Sequence, residues 1–336
     1  MSISLKRLLL PKRYVELNQI QQKIVNDINN SKKYQLEKLK CLCGEDNDRL
    51  IAVGDRYAIE VKIVLCRNCG LIRTDPYYSD SSLNHFYSND YRLLYVGYKE
   101  CNYNFFLEEI NTGKEIFDYV KDYLPRKKKN KITVVEIGCG AGGILKYFQE
   151  LGYNTVGNDY SNSYLEYGRN HGLRLISGDI NKLLRYGKAD LIILNHVLEH
   201  FKYPLKYLSQ IRKILKHNGL LYIALPGIKY IGKHYRGNIK EYFQNAHAYY
   251  YCLQTLCYTL KLAGFSPVKG SEEIKAIFSL KTKNSNYEIK NISKKIYLYI
   301  IYLELSYKIR ESIFLKFLKY IFKCIKSLFR YNTFFL

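Results

Sequence analysis

From Lys131 the apolar positions fall into short continuous runs, separated by stretches with helical periodicity. KITVVEIG (131–138), YNTVGND (153–159), LRLISGD (173–179), ADLIILNH (189–196) and LLYIALPG (220–227) read as buried strands. GGILKYFQELG (142–152), SYLEYGRNHG (163–172) and PLKYLSQIRKILKHNG (204–219) read as the helices between them, the last stopped by Gly219. Such alternation predicts a parallel sheet covered by helices on both faces. TLCYTLKLAGF (255–265) adds a helix, and SPVKGSEEIKAIFSLKTK (266–283) supplies two closing strands. Upstream, 15–38 reads as a polar, basic helix, 39–75 as strand-like stretches between two cysteine pairs, and 103–124 as a helix. The predicted organisation is a basic helical segment (1–38), a cysteine-rich module (39–100), an α/β domain (101–284) and a basic amphipathic helical tail (285–336).

The chain has 336 residues and is 47% hydrophobic, enough for a sizeable core. It has no apolar run of about 18 residues, so no membrane-spanning helix is expected. The basic N-terminus carries an apolar run of only three leucines, too short for a secretory signal, which points to the cytoplasm. The formal charge of +23 has two readings. One is an anionic partner; the other is composition-wide bias, with Lys, Asn, Ile and Tyr abundant and Trp absent.

In a reducing compartment clustered cysteines more often bind metal than form disulfides. Cys41 and Cys43 are followed by Cys66 and Cys69, spacing that suits a four-thiolate structural zinc ribbon. The first pair is C-x-C rather than C-x-x-C and makes a tighter chelate. A closed set of four thiolates leaves no open position for catalysis.

VVEIGCGAGG ends a strand, turns through Gly138, Cys139, Gly140 and Gly142, and opens a helix. Glycines there let the backbone approach a ligand. The spacing also fits a dinucleotide loop, so an NAD(P)-dependent oxidoreductase stays open. Asp159, next to Tyr160, ends the second strand where a carboxylate meets ribose hydroxyls. Two features favour S-adenosylmethionine. Glu136 precedes the glycines, where a pyrophosphate gains nothing from a carboxylate but a cationic amino-acid end does. Asp179, followed by Ile180, ends the third strand and is placed to accept from an adenine amine.

Together VVEIGCGAGG, VGNDYS, SGDI, ADLIILNHVLEHF and ILKHNGLLYIALPG resemble the successive motifs of class I S-adenosylmethionine-dependent methyltransferases. CLCG…CRNCGLIRTDP…FYSNDYRLLY and HAYYYCLQTLCYTLKLAGF resemble segments of bacterial methyltransferases with a cysteine-rich N-terminal module, some acting in deoxysugar pathways. The resemblance implies an α/β, Rossmann-like seven-stranded sheet, mostly parallel with an antiparallel closing strand. It also implies S-adenosylmethionine as cofactor, with Glu136, Gly138, Cys139, Gly140, Gly142, Asp159, Tyr160, Asp179, Ile180 and Asn195 around it.

NHVLEH follows the fourth strand, where open α/β sheets bind ligands. His196, Glu199 and His200 repeat a spacing used by some zinc peptidases, but those carry it within a long helix. Methyl transfer requires a proton acceptor, and His196, His200 and His247 are the candidates. A nitrogen-rich metal site from His196, Glu199, His200 and His247 is a second reading, and a helix-orienting role for Glu199 and His200 a third. The insertion around Lys233, His234 and Arg236 is expected to overhang the site. The substrate is expected to be a small molecule or sugar/glycan intermediate, with RNA methylation the alternative because nucleic acid is not excluded by the charge. In the tail, Lys316, Lys319, Lys323 and Lys326 form one stripe beside a wide apolar arc. That pattern suits either the anionic inner membrane face or packing on the protein.

Overall fold

In the computed structural model the described residues are 16–31, 33–98, 100–280, 291–312, 316–318 and 320–323. Lys319, Lys326, Ile313, Phe314, Ile325, Leu328 and Phe329 of the predicted tail stripe and arc lie outside them.

The chain opens with α1 (Gln19–Asn30), started by an Asn18 capping box in which Asn18 and Gln21 bond each other's backbone. β1 (Leu36–Glu37) leads to the cysteine region and its strands β2 (Asp48–Val53), β3 (Lys62–Cys66) and β4 (Ile72–Thr74). β5 (Tyr77–Tyr78) pairs back onto β1, and α2 (Asp80–His85), a π-helical turn and α3 (Tyr91–Tyr95) follow. α4 (Tyr103–Val120) carries the chain to the α/β domain.

There β6 (Thr133–Ile137), α5 (Gly143–Glu150), β7 (Asn154–Asp159), α6 (Asn162–Asn170), β8 (Leu175–Ser177), β9 (Ala189–Asn195), α7 (Pro204–Ile214) and β10 (Leu215–Ala224) alternate as predicted. The insertion holds α8 (Tyr230–His234), α9 (Ile239–Tyr242) and β11 (Tyr249–Tyr250). α10 (Leu253–Leu262), β12 (Phe265–Gly270), β13 (Lys275–Leu280) and α11 (Ser293–Arg310) follow.

The large sheet has seven strands in the order β12-β13-β10-β9-β6-β7-β8. β13 pairs antiparallel with both β10 and β12, and the pairs from β10 across to β8 are parallel. The expected mostly parallel sheet with its antiparallel closing strand is therefore present. Strand runs such as β9, buried from Ala189 to Leu194, explain the unbroken apolar pattern. One boundary differs. The helix predicted over 204–219 stops at Ile214, because Leu215 already pairs with Ala189, and a register shift absorbs the residues before Leu220.

The cysteine region does not stand apart. Its four-stranded sheet has the order β11-β4-β3-β2, so the last strand comes from the insertion beyond β10. One hydrophobic core runs from Ile63 and Leu65 through Tyr249 and Tyr251 to Ile192 and Leu221. That continuity fixes the cysteine region against the carboxyl ends of β9 and β10.

Candidate active site

The loop after β6 is built on backbone geometry. Gly138, Gly140 and Gly142 have φ of 70°, 54° and 77°, a region where L side chains are strained. At Gly138 space matters too: a Cβ would lie 2.6 Å from Val197 Cγ2. The loop is tied to β7 by Gly138 and Cys139 N–H groups, which both donate to Asn158 O. Gly140 N–H donates to Asp159 Oδ2 (2.9 Å) and Ser161 N–H to Oδ1 (2.8 Å). Asp159 therefore stands at the strand end as expected, fastened to the glycine loop. Cys139 contributes backbone only. Its buried Sγ packs on β7, 2.7 Å from where a Gly157 Cβ would be.

Three carboxyl groups converge here. Glu136 is 2% exposed and its Oε2 has no partner. Burial, then the nearby Glu109 and Asp159 carboxyls, hold its pKa well above the usual carboxylate range. Glu109 comes from α4, and its Oε2 is likewise buried and unpartnered. Burial pushes Glu109 up to about 8, with Arg92 opposing. Arg92, on α3, places Nη2 3.7 Å from Asp159 Oδ2 and its guanidinium 4.1 Å from the Tyr164 ring centre. Buried carboxyl oxygens without partners beside one guanidinium fit a ligand end carrying both an ammonium and a carboxylate. Further along the strand ends, Asp179 Oδ1 accepts from Asn181 N–H (2.8 Å), which positions Ile180 in the buried wall. Tyr160 is exposed beside Asp159, and Asn195 is half-buried at the end of β9.

The second half of the site begins one residue later. His196 has φ 54°, unusual for a side chain with a Cβ. Its N–H donates to Ala224 O (2.8 Å), joining the ends of β9 and β10, and its side chain is 60% exposed. Glu199 is 1% exposed, and neither carboxylate oxygen has a hydrogen-bond partner. His200 Nδ1 lies 3.1 Å from Ala246 O. A carbonyl only accepts, so Nδ1 carries the proton and Nε2 keeps its lone pair. Tyr87 Oη is also 3.1 Å from this Nδ1. The His247 ring meets His200 edge-on at 4.8 Å. Burial lowers the pKa of both imidazoles, well below the usual value for His247, so both are neutral near pH 7.

The segment carrying His247 is clamped by the cysteine region. Thr74 Oγ1 donates to His247 O (2.7 Å), Tyr77 Oη to Ala246 O (2.7 Å), and Asn245 N–H to Asp55 Oδ2 (3.0 Å). Lys233 instead pairs with Glu273, His234 stacks on Tyr230, and Arg236 O accepts from Arg310, so these insertion residues are engaged away from the histidines.

Cys41, Cys43, Cys66 and Cys69 come together as the spacing predicted. Their Sγ atoms all lie within 4.8 Å, with Cys41–Cys69 at 3.5 Å and Cys43–Cys66 at 3.6 Å. Tetrahedral zinc with bonds of about 2.3 Å sets its sulfurs about 3.8 Å apart. The four thiols fit that ion. Hydrogen bonding to Cys69 and burial raise the Cys41 thiol, and burial pushes Cys43 up to about 12. A bound divalent charge reverses that preference and holds them as thiolates.

Residues 107–269 match the family model described as a methyltransferase domain. Over that segment, a little under half of its length, the chain is similar to methyltransferase domains. A malonyl-[acyl-carrier protein] O-methyltransferase of Halalkalibacterium halodurans is 31% identical over 108 residues, 28% of this chain and 39% of the relative. The chain thus spans well under half the length of that relative. Among solved structures, a SAM-dependent methyltransferase from Archaeoglobus fulgidus is 21% identical, covering 60% of this chain and 93% of its own, at a TM-score of 0.39. The magnesium protoporphyrin IX methyltransferase of Synechocystis PCC 6803 is 18% identical over 59% and 97%, at 0.41. Scores this low align no individual residues, so the roles of residues rest on this chain's own geometry.

That geometry adds residues to which the sequence reading gave no role. Arg92 and Glu109 reach the cofactor loop from α3 and α4, and Tyr87 reaches His200 from the turn before α3. The available signal for Arg92 was its isolation: it is the one charged residue in YRLLYVGY (91–98).

Proposed function

We propose that the chain transfers a methyl group from S-adenosylmethionine to a small molecule or a sugar or glycan intermediate, with His196 taking the acceptor's proton. The observation that carries this reading is the contact between Val197 and Gly138. It joins the histidine loop directly to the cofactor loop, so an acceptor beside His196 lies against the reactive end of the cofactor. When bound, S-adenosylmethionine supplies an electrophilic methyl on a sulfonium. Asp159 is placed for ribose hydroxyls, Asp179 and Ile180 for the adenine, Glu136 and Glu109 for the ammonium, and Arg92 for the carboxylate. Methyl transfer is an in-line displacement, and holding both reactants in place contributes up to about 7–11 kcal/mol. Of the three candidate histidines, His196 is the one open to an incoming acceptor, while His247 is buried and His200 is half-buried with Nδ1 committed.

His196→Ala should leave cofactor affinity unchanged in calorimetry and lower turnover about 10²–10⁴-fold. Wild-type turnover in that variant removes His196 from the mechanism. The acceptor itself is found by incubating the enzyme with labelled methyl donor and host extract and identifying the labelled product.

A specific surface feature supports a membrane-proximal acceptor such as a lipid-linked glycan at the cytoplasmic face. No helix among the described residues is long and apolar enough to cross a membrane. On α11, however, Leu298, Tyr302, Leu305 and Ile309 are exposed at spacings of 4, 3 and 4, on one side of the helix. Lys294, Lys295, Lys308 and Arg310 are exposed on the same helix. Basic charge beside an exposed apolar stripe suits an anionic interface. The intact chain should float with anionic liposomes at low salt, and Leu305→Asp with Ile309→Asp should stay behind. Equal flotation of both ends this reading.

A further inference from the structure

We infer that Glu199, His200 and His247 form a binding site for one divalent transition-metal cation on the acceptor side of the methyltransferase domain, separate from the four-cysteine site. One ligand atom from each lies within 4.8 Å of the others. Around an ion with bonds of about 2.0–2.2 Å, ligand atoms stand up to about 4.2 Å apart, so closing the site takes shifts of about half an ångström.

The strongest pointer is Glu199. Its carboxylate is 2% exposed, and both oxygens lack a partner. Buried polar groups are ordinarily hydrogen-bonded or metal-bound, and these two oxygens have no hydrogen bond. The surroundings offer imidazoles rather than a committed donor. The His196 ring nitrogen nearest Glu199 is 3.7 Å from Oε1, beyond hydrogen-bond reach. The His200 Nδ1 proton is directed at Ala246 O. A proton-relay dyad would need an imidazole N–H donating to this carboxylate, and that bond is missing. His200 has the arrangement common to metal ligands: one ring nitrogen donates to a backbone carbonyl and the other keeps its lone pair.

Two imidazoles and one carboxylate suit Mn²⁺, Fe²⁺, Co²⁺ or Zn²⁺ and leave coordination positions open. The exposed His196 lies beside the cluster, its Nδ1 3.7 Å from Glu199 Oε1. Resting on the methyltransferase reading above, an acceptor oxygen would complete the coordination there, close to the proton acceptor.

The test reads binding without turnover, so it stands or falls separately from the enzymatic reading. Zinc-replete full-length protein is titrated with Mn²⁺, which the thiolate site disfavours, and followed by electron paramagnetic resonance. One saturable Mn²⁺ per chain is expected. Glu199→Gln and His247→Ala should each weaken binding at least about 10-fold. Glu199→Gln keeps the shape and breaks no hydrogen bond, so its metal-free melting temperature should equal or exceed that of the wild type. Mn²⁺ should raise the wild-type melting temperature and not that of the variant. Absence of saturable binding by both Mn²⁺ and Co²⁺ overturns the site. So does binding that survives Glu199→Gln, and so does a Glu199→Gln variant that melts well below wild type while metal shifts neither, which would mark the carboxylate as structural.

Discussion

The two halves of the site meet at one contact, Gly138 against Val197, yet they are built in opposite ways. The cofactor half is made of consecutive strand ends. β6, β7 and β8 each bring a carboxylate to or just past the strand end in chain order, and the glycine loop is tied to Asp159 through its backbone. The acceptor half is assembled from three distant segments: the turn before α3, the loop after β9, and the strand-forming segment before α10. Local sequence suffices to place the first. The second exists only because the cysteine region shares a sheet and a core with the α/β domain. The cofactor half is thus a property of the fold, and the acceptor half a property of how an added module docks on it.

The largest effect should come from removing the module's metal. Purified protein should contain about one zinc per chain when the second site is empty. Cys66→Ser should abolish zinc retention by the four-thiol site. Structural zinc contributes about 10–16 kcal/mol in small zinc-binding peptides. Here part of the module's stability comes from its apolar core, so a loss of roughly 5 kcal/mol is expected from that principle. If the halves differ as argued, the variant should lose turnover more completely than cofactor binding, because Thr74, Tyr77 and Asp55 hold the His247 segment. Elemental analysis returning no metal from wild type made in zinc-replete medium refutes the site.

Intermediate effects fall on the cofactor half. Asp159→Ala should weaken S-adenosylmethionine binding by about 1–3 kcal/mol, roughly 5–150-fold, since it orphans the Gly140 and Ser161 N–H groups as well as removing the proposed ribose contact. Arg92→Ala should weaken it about 10-fold, the size of one charge-assisted bond, though Arg92 lies outside the methyltransferase match of 107–269. Calorimetry decides both. Undiminished affinity in Arg92→Ala would return the whole cofactor site to the α/β domain.

These assignments show what the sequence disclosed. Strand order, the glycine loop, Glu136, Asp159 and the cysteine set were legible because each depends on neighbours within a few residues or on a fixed spacing. The end of α7 was misplaced because LKHNG has no local mark against helix; Leu215 is drawn into β10 by pairing with Ala189, a contact between strands. Arg92 and Glu109 were hidden for the same reason. Their role depends on α3 and α4 crossing the glycine loop, and nothing within either helix sequence encodes that crossing.

The last effect, small per pH unit, is a pH slope that separates the halves electrostatically. In the empty protein Glu109 has its pKa pushed up to about 8 from an ordinary value of 4.5, chiefly by burial of the carboxyl. An acid raised on folding binds more protons in the native state than in the unfolded chain between those two values. Its contribution is fully present below pH 4.5 and is lost as pH rises through 8, with a slope of at most about 1.4 kcal/mol per pH unit per group. Glu136 is shifted in the same direction and adds to the effect. Denaturant unfolding of the cofactor-free protein should therefore show stability falling from pH 5 to 8, and Glu109→Gln should flatten that fall. Cofactor affinity should run the other way, rising with pH over this window, because an ammonium beside these groups favours their ionised form and binding must otherwise expel a proton. Calorimetry in buffers of different ionisation enthalpy counts that proton directly at pH 6. A proton count of zero, with the same affinity at pH 6 and pH 8, would show that neither carboxyl faces the ammonium and would leave Asp159 and Arg92 as the charged contacts of the cofactor half.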